Sequence, residues 1–377
     1  MPTHNSLWYA NPAARGWKTR TPDSALPFHR TLADYSPTPL TELPTIADEL
    51  RVGRVFLKDE SNRLGLPAFK ILGASWAICR ALSERLGLDA STMTVPELRT
   101  RLRAGMDPAA LPVLVTATDG NHGRAVSRMA ALLGLSARIY IPNGLSSAAI
   151  GAIRNEGAEL IELDAVYDDV VEAAAASVGA SARDILIQDT SWDGYIEVPR
   201  WIVDGYTTLF AEIDEALEID NHAAADLVVC PVGVGSLAHA MVDYYRNQAT
   251  NAPSLLSVEP DSAACIAQSL LTGKPVAVDT SYPTIMSGLN CGTPSELAWP
   301  SLLAGLDGAV SVSEDECRRA VLELQALGLD AGPCGASTLA GLRAALSDNE
   351  RRRELGITSD SLIVLVSTEG LAANPLR

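Results

Sequence analysis

Short apolar runs separated by stretches of helical period dominate this chain. Val113-Leu114-Val115-Thr116, Ala137–Ile141, Glu159–Leu163 and Ile185–Gln188 each read as a short strand. Between them, Asn121–Leu133, Ser147–Glu156 closed at Gly157, and Asp168–Ser177 read as helices. Strand, helix and strand in regular alternation describe a parallel sheet, because right-handed crossovers need helices to cover both faces. A second set follows at Leu227–Cys230, Leu255–Val258 and Leu362–Val366, and Val55–Lys58 is expected to join it. The fold class is therefore α/β, with two parallel-sheet, three-layer domains. Residues 1–72 and 190–377 are expected to form the larger one, with 73–189 inserted as the smaller and the cleft between them as the ligand site.

Two regions differ in texture. The first fifty residues, rich in Pro, Trp and polar residues, are expected to wrap over the surface, and Leu82–Leu111 reads as a charged, helical, peripheral insertion with Pro96 at a helix start. The run Ala173–Ala176 is plain helix former.

At 377 residues the chain is long for one core, which favours two domains, and 47% hydrophobic content suffices for burial. Its formal charge of −17 argues against nucleic acid and anionic membrane surfaces, both of which need clustered cations. A phosphorylated ligand remains compatible, since helix N-termini bind phosphate through backbone N–H groups. The opening residues show no basic segment followed by an apolar run, and no stretch is long and apolar enough to span a bilayer, so the expected location is the cytoplasm. Six scattered cysteines form no C-x-x-C pair, so free thiols and no metal site are expected.

Three segments carry candidate chemistry. In Cys230-Pro231-Val232-Gly233-Val234-Gly235-Ser236-Leu237 an apolar strand runs through two glycines into a helix, an anion site by construction. Such a turn is also a common plain α/β connection, and it lacks both the third glycine of a dinucleotide fingerprint and the Lys-Ser/Thr of a P-loop. Thr116-Ala117-Thr118-Asp119-Gly120-Asn121-His122-Gly123 is a polar loop at a strand's carboxyl end; Asp119 or Asn121 also serves as an ordinary helix cap. Lys70, flanked by Phe69, Ile71 and Leu72, is either a snorkelling side chain or a partly desolvated amine whose lowered pKa favours attack on an aldehyde. Taken together, the three supply what is needed to hold pyridoxal 5'-phosphate as an internal Schiff base.

Six stretches, one of them the polar loop just described, make that reading specific. Ser36–Leu40, Lys58–Ser61, Thr118–Gly123, Gln188–Tyr195, Thr284–Gly292 and Ser367–Gly370 resemble the fold type II pyridoxal phosphate enzymes, the tryptophan synthase β-like family, and within it the diaminopropionate ammonia-lyases. The resemblance covers the chain from about Tyr35 onward and implies α,β-elimination of 2,3-diaminopropionate, a small amino acid, to pyruvate and ammonia, by a homodimer. It implies Lys70 as the Schiff-base lysine, with Asp119 and Asp189 as acidic groups at the substrate. Thr118, Asp119, Gly120 and His122 would lie at the substrate carboxylate, and Gly233, Val234, Gly235, Ser236 and Leu237 would cradle the phosphate. Asn121 would lie by the phenolic oxygen, and Ser367 or Thr368 by the pyridine nitrogen. Elimination needs a base at Cα and a proton for the β-amine, and two aspartates favour a substrate with an extra positive charge. The resemblance also suggests a disulfide between Cys265 and Cys291.

One departure stands out. Relatives carry Gly-Glu-Ser-Gly-Ala where this chain reads Gly332-Pro333-Cys334-Gly335-Ala336, which removes a charge and a backbone donor. That change motivates the alternative of a dehydratase or β-eliminase for serine, threonine or another β-substituted amino acid. A third reading is a non-catalytic metabolite-binding α/β protein that keeps the glycine loop.

Overall fold

The computed structural model describes residues 6–376 apart from 106, 108, 109, 119, 180 and 248–251. Its eleven described strands form two sheets, which fall into two compact units. One unit comprises residues 1–22, 37–69 and 209–377, and the other 23–36 and 70–208. The second is thus wider than 73–189: it takes in 23–36 and the start of the long helix Glu197–Ile219.

The larger unit holds a seven-stranded sheet. Its strands are β1 (Trp8–Ala10), β2 (Leu40–Glu42), β3 (Arg54–Asp59), then, beyond the other unit's four, β8 (Leu227–Pro231), β9 (Ser254–Pro260), β10 (Gly308–Val312) and β11 (Leu362–Ser367). They lie in the order β1-β10-β9-β8-β11-β3-β2. The five central strands are parallel, and β1 and β2 close the rims antiparallel. Both faces are buried, which is why these strands read as continuous apolar runs and not as an alternation. Val55, Leu57, Leu227, Val229, Leu256, Val258, Ile363 and Leu365 share one core cluster with the helices Pro44–Leu50, Glu314–Ala326 and Pro333–Leu346. Their neighbours along each strand point to the opposite face.

On that opposite face Lys58, at 0% exposure, enters a buried charge cluster. Its Nζ donates to Glu212 Oε2 at 2.6 Å and to the Thr38 carbonyl at 2.8 Å. Arg63 reaches Glu212 through Nη1 at 2.7 Å and Glu60 through Nε at 2.8 Å. Two cations and two carboxylates thus balance, and each finds hydrogen bonds that replace water.

The smaller unit holds β4 (Val113–Ala117), β5 (Ser136–Pro142), β6 (Glu159–Leu163) and β7 (Asp184–Leu186), all parallel, in the order β6-β5-β4-β7. Helix Tyr167–Gly179 packs Val170, Val171 and Ala174 against Val113, Val115 and Tyr140. Within the segment 82–111, the first residues end the helix Ile71–Leu86 and a later stretch forms the helix Val95–Gly105, with Leu98 and Leu102 buried. All six cysteines are free, so Cys265 and Cys291 are unbonded thiols. Among the described residues no helix is long and apolar enough to cross a membrane.

Candidate active site

In the smaller unit, Lys70 is the N-cap of the helix Ile71–Leu86. The flanking Phe69, Ile71 and Leu72 are buried, but the lysine amine does not share their apolar surroundings. Its Nζ donates to Asp189 Oδ2 at 2.8 Å, with the two side chains 28% and 13% exposed. The amine is partly buried, and its partner is a carboxylate. Burial alone would raise the Asp189 carboxyl. The charge His122 carries when protonated, then the Lys70 charge and hydrogen bond, outweigh it and hold the group below the usual carboxylate range.

Asp189 is fixed by the turn that carries it. Gln188 donates its backbone N–H to the Tyr195 hydroxyl at 2.9 Å, and that hydroxyl donates to the Leu186 carbonyl at 3.0 Å. Trp192 stacks on Tyr195 with ring centroids 4.4 Å apart. The Gln188 side chain accepts from Thr116 Oγ1 and the Ala117 N–H, both at 2.9 Å, tying the turn to the end of β4.

The loop after β4 is equally constrained. Thr118 Oγ1 accepts from the backbone N–H groups of Gly120 and Gly123, each at 2.9 Å. The N-cap of the helix Asn121–Leu133 is Gly120, so Asn121 is its first residue and not the expected cap. His122 is buried, its Nε2 facing the Ile187 carbonyl at 2.7 Å and its Nδ1 lying 3.8 Å from Asp189 Oδ2. Asp119 lies outside the described residues.

Tyr206, on the helix Glu197–Ile219, also faces Lys70, a neighbour that sequence reading missed. A Cβ at Gly73 would fall 2.5 Å from the Tyr206 ring, and one at Gly205 would fall 2.6 Å from the Leu72 carbonyl. Two glycines thus let the helices approach until the phenol meets the lysine. Only the glycine spacing hints at this, and nothing in the sequence pairs the two positions. Burial raises the Tyr206 hydroxyl, so it stays protonated across the physiological range.

The larger unit carries the remaining residues. Gly233, Val234 and Gly235 link β8 to the helix Ser236–Asn247. Gly235 has φ +108°, a conformation closed to side chains, and a Cβ at Gly233 would meet Cys291 Sγ at 2.8 Å and the Gly288 carbonyl at 3.0 Å. Leu237 is buried in the first turn. At the end of β11, Ser367 Oγ is fully buried and has no hydrogen-bond partner. Phe69 donates its N–H to the Thr368 carbonyl at 3.2 Å, and Ala68 bridges Glu369, so the chain is latched to β11 immediately before Lys70.

The divergent segment sits beside this strand end. Gly332 is the N-cap and Pro333 the first residue of the helix Pro333–Leu346, where a missing N–H costs nothing. Cys334 is buried; burial, then the nearby Glu369, pushes its thiol well up, so it remains neutral. Asn374 Nδ2 donates to its sulfur at 3.6 Å. A Cβ at Gly335 would lie 2.5 Å from Ser367 Oγ and 2.9 Å from both Ser367 Cα and Thr368 N. Backbone cannot yield there, so Gly335→Ala is expected to lower stability by about 1–3 kcal/mol and to reduce cofactor content. Thermal melts and absorbance of the purified variant check both.

Each of these groups, taken within its own unit, is of a kind that pyridoxal phosphate needs. An orphaned, buried, neutral hydroxyl suits a ring nitrogen, a two-glycine turn before a helix suits a phosphate, and a lysine amine suits an aldehyde. Residues 32–368 match the family described as pyridoxal-phosphate dependent enzyme. The chain belongs to that family.

Its relatives agree with the fold. The diaminopropionate ammonia-lyase of Salmonella typhimurium is 34% identical over 364 residues, covering 92% of this chain and 88% of its own. The Escherichia coli enzyme of that name is 36% identical over 359 residues, covering 91% and 86%. A crystal structure of the Escherichia coli diaminopropionate ammonia lyase, in complex with an aminoacrylate-PLP azomethine reaction intermediate, superposes with a TM-score of 0.84. It is 32% identical and covers 98% of this chain and 94% of that one. This family member is thus a fold type II pyridoxal phosphate enzyme. Among the described residues no group of three or more His, Cys, Asp or Glu is placed to hold a metal ion.

Proposed function

We propose that this enzyme catalyses the α,β-elimination of 2,3-diaminopropionate to pyruvate and ammonia. The observation that carries the reading is the Lys70–Asp189 pair at 2.8 Å. An amine able to take the α-proton beside a carboxylate able to hold a second substrate ammonium supports this reaction. When bound, pyridoxal phosphate supplies an aldehyde that holds the substrate amino group and a conjugated ring that accepts the electron pair left on Cα.

The chain's own residues do the rest. Lys70 holds the cofactor and, once released, moves the α-proton. Asp189 orients Lys70 and attracts the cationic β-amine, with Asp119 as its acidic counterpart. Thr118, Gly120 and His122 form the loop and helix start offered to the substrate carboxylate. Gly233, Val234, Gly235, Ser236 and Leu237 would hold the phosphate, Asn121 the phenolic oxygen, and Ser367 or Thr368 the ring nitrogen. A hydroxyl at that nitrogen carries no charge, so proton control falls more heavily on the Lys70 neighbourhood. The six free thiols suit a reducing compartment, and we assign the protein to the cytoplasm as a homodimer, to be checked by fractionation and light scattering.

Pyruvate release is expected to be faster from diaminopropionate than from serine or threonine. Asp189→Asn should cut kcat/KM for diaminopropionate by roughly 10²-fold, and that for serine by less. Equal or reversed substrate rates in the wild-type enzyme would instead support the hydroxy amino acid reading.

A further inference from the structure

His122 sits against the Lys70–Asp189 pair in a geometry that its place at the start of a helix does not require. The ring is 3% exposed. Its Nε2 lies 2.7 Å from the Ile187 carbonyl, which only accepts, so in the neutral ring the proton is on Nε2 and Nδ1 carries the lone pair. That Nδ1 is buried, has no hydrogen-bond partner among the described residues, and is 3.8 Å from Asp189 Oδ2. The same oxygen accepts the Lys70 hydrogen bond. A buried lone pair facing a carboxylate is unfavourable, and a proton on Nδ1 converts it into an ion pair. One carboxylate oxygen thus stands between an ammonium that must shed a proton and an imidazole positioned to take one.

We propose that His122 is the store for the proton Lys70 must lose, reached through Asp189. Lys70 Nζ gives a proton to Asp189 Oδ2, and that carboxyl passes it to His122 Nδ1. The products are a neutral amine, an unchanged carboxylate and an imidazolium. Net charge over the three groups is zero before and after, so the transfer leaves no new uncompensated charge in the protein. The Ile187 carbonyl stabilises the imidazolium, since Nε2–H remains its donor. The other described titratable groups facing the pair are the Tyr206 and Tyr195 hydroxyls, and burial keeps both protonated. Neither competes for the proton. His122 touches no reacting atom in this scheme: it is a positioning residue that sets the protonation of Lys70. The inference rests on Lys70 being the working amine of the proposed reaction.

The test uses the full chain stripped of cofactor, with Lys70 acetylated by acetic anhydride across pH and quantified by peptide mass spectrometry. In His122→Leu and His122→Gln the half-point for Lys70 labelling is expected to move up by about one pH unit, a tenfold slower reaction at fixed pH. Neither side chain accepts the proton, so it stays on the amine. In the loaded enzyme the acidic, ascending limb of the kcat profile should move to higher pH by the same amount, with KM within about twofold. Restoration of the wild-type labelling profile by glutamine would show a packing role and overturn the proposal, as would an unchanged half-point in both variants. Should neither variant fold, 15N spectra of the wild-type and Lys70→Met proteins decide: loss of Lys70 should move the His122 Nδ1 protonation midpoint, and an unmoved midpoint overturns the proposal. Labelling and spectra need no substrate, so their outcome is separate from whether diaminopropionate is the substrate.

Discussion

Lys70→Ala is expected to fold normally and to lose turnover of diaminopropionate by roughly 10³-fold or more. The side chain is 28% exposed, and it hydrogen-bonds Asp189, a polar group at the site and not part of the apolar core. What disappears is the amine that tethers the cofactor and moves the α-proton. Borohydride reduction of the wild-type protein should leave a pyridoxyl group on the peptide containing Lys70, and the alanine variant should gain no such mass. A small primary amine added to the variant should restore part of the rate, since it replaces the proton acceptor though not the tether. A pyridoxyl group at another lysine would move the site elsewhere, and full activity in the variant would end the assignment. Melting within a few degrees of wild type confirms that the loss is chemical.

The second large effect concerns stability. Glu212→Gln is expected to cost about 3–5 kcal/mol, read as a lower denaturant midpoint. Lys58 and Arg63 are fully buried, and both direct hydrogen bonds at Glu212. Removing that one charge strands two cations against a single remaining acid, Glu60. Burial pushes the Glu212 carboxyl up, but the Arg63 and Lys58 contacts prevail and hold it at about 2, against 4.5 unperturbed. A carboxyl with a depressed native pKa binds fewer protons folded than unfolded in that interval. Its contribution is therefore complete above about pH 4.5 and is lost as pH falls towards 2. The wild-type midpoint should decline through this window, and Glu212→Gln should flatten that decline. A wild-type slope matched by the variant would show that other carboxylates govern acid unfolding.

The parallel core was legible because strands buried on both faces must be apolar throughout. Val113–Thr116, Leu227–Cys230 and Leu362–Val366 all fall within observed strands. β10 escaped notice: Gly308-Ala309-Val310-Ser311-Val312 alternates small and apolar residues and gains its identity only by pairing with β9. β1 and β2 were read as surface wrapping for a similar reason, since three residues carry too little pattern to declare a strand. In the site, residue types and order marked the glycine turn, the polar loop and the lysine. What sequence did not reveal is who faces Lys70. Its apolar neighbours in the chain pointed to partial desolvation but could not name the carboxylate, Asp189, that the amine meets. Tyr206 reaches it through a helix approach that depends on Gly73 and Gly205 together. Such contacts are made across the fold and leave no local period.

The two short rims of the seven-stranded sheet bear on how the protein behaves at high concentration. A parallel sheet left open would present rows of unsatisfied amides, a template for fibrils. Here each outermost ribbon is three residues long and runs against its neighbour. A passing chain finds too short a stretch to zip onto, and the surplus of negative charge keeps copies apart. At these two rims the larger sheet therefore offers little for strand-to-strand association.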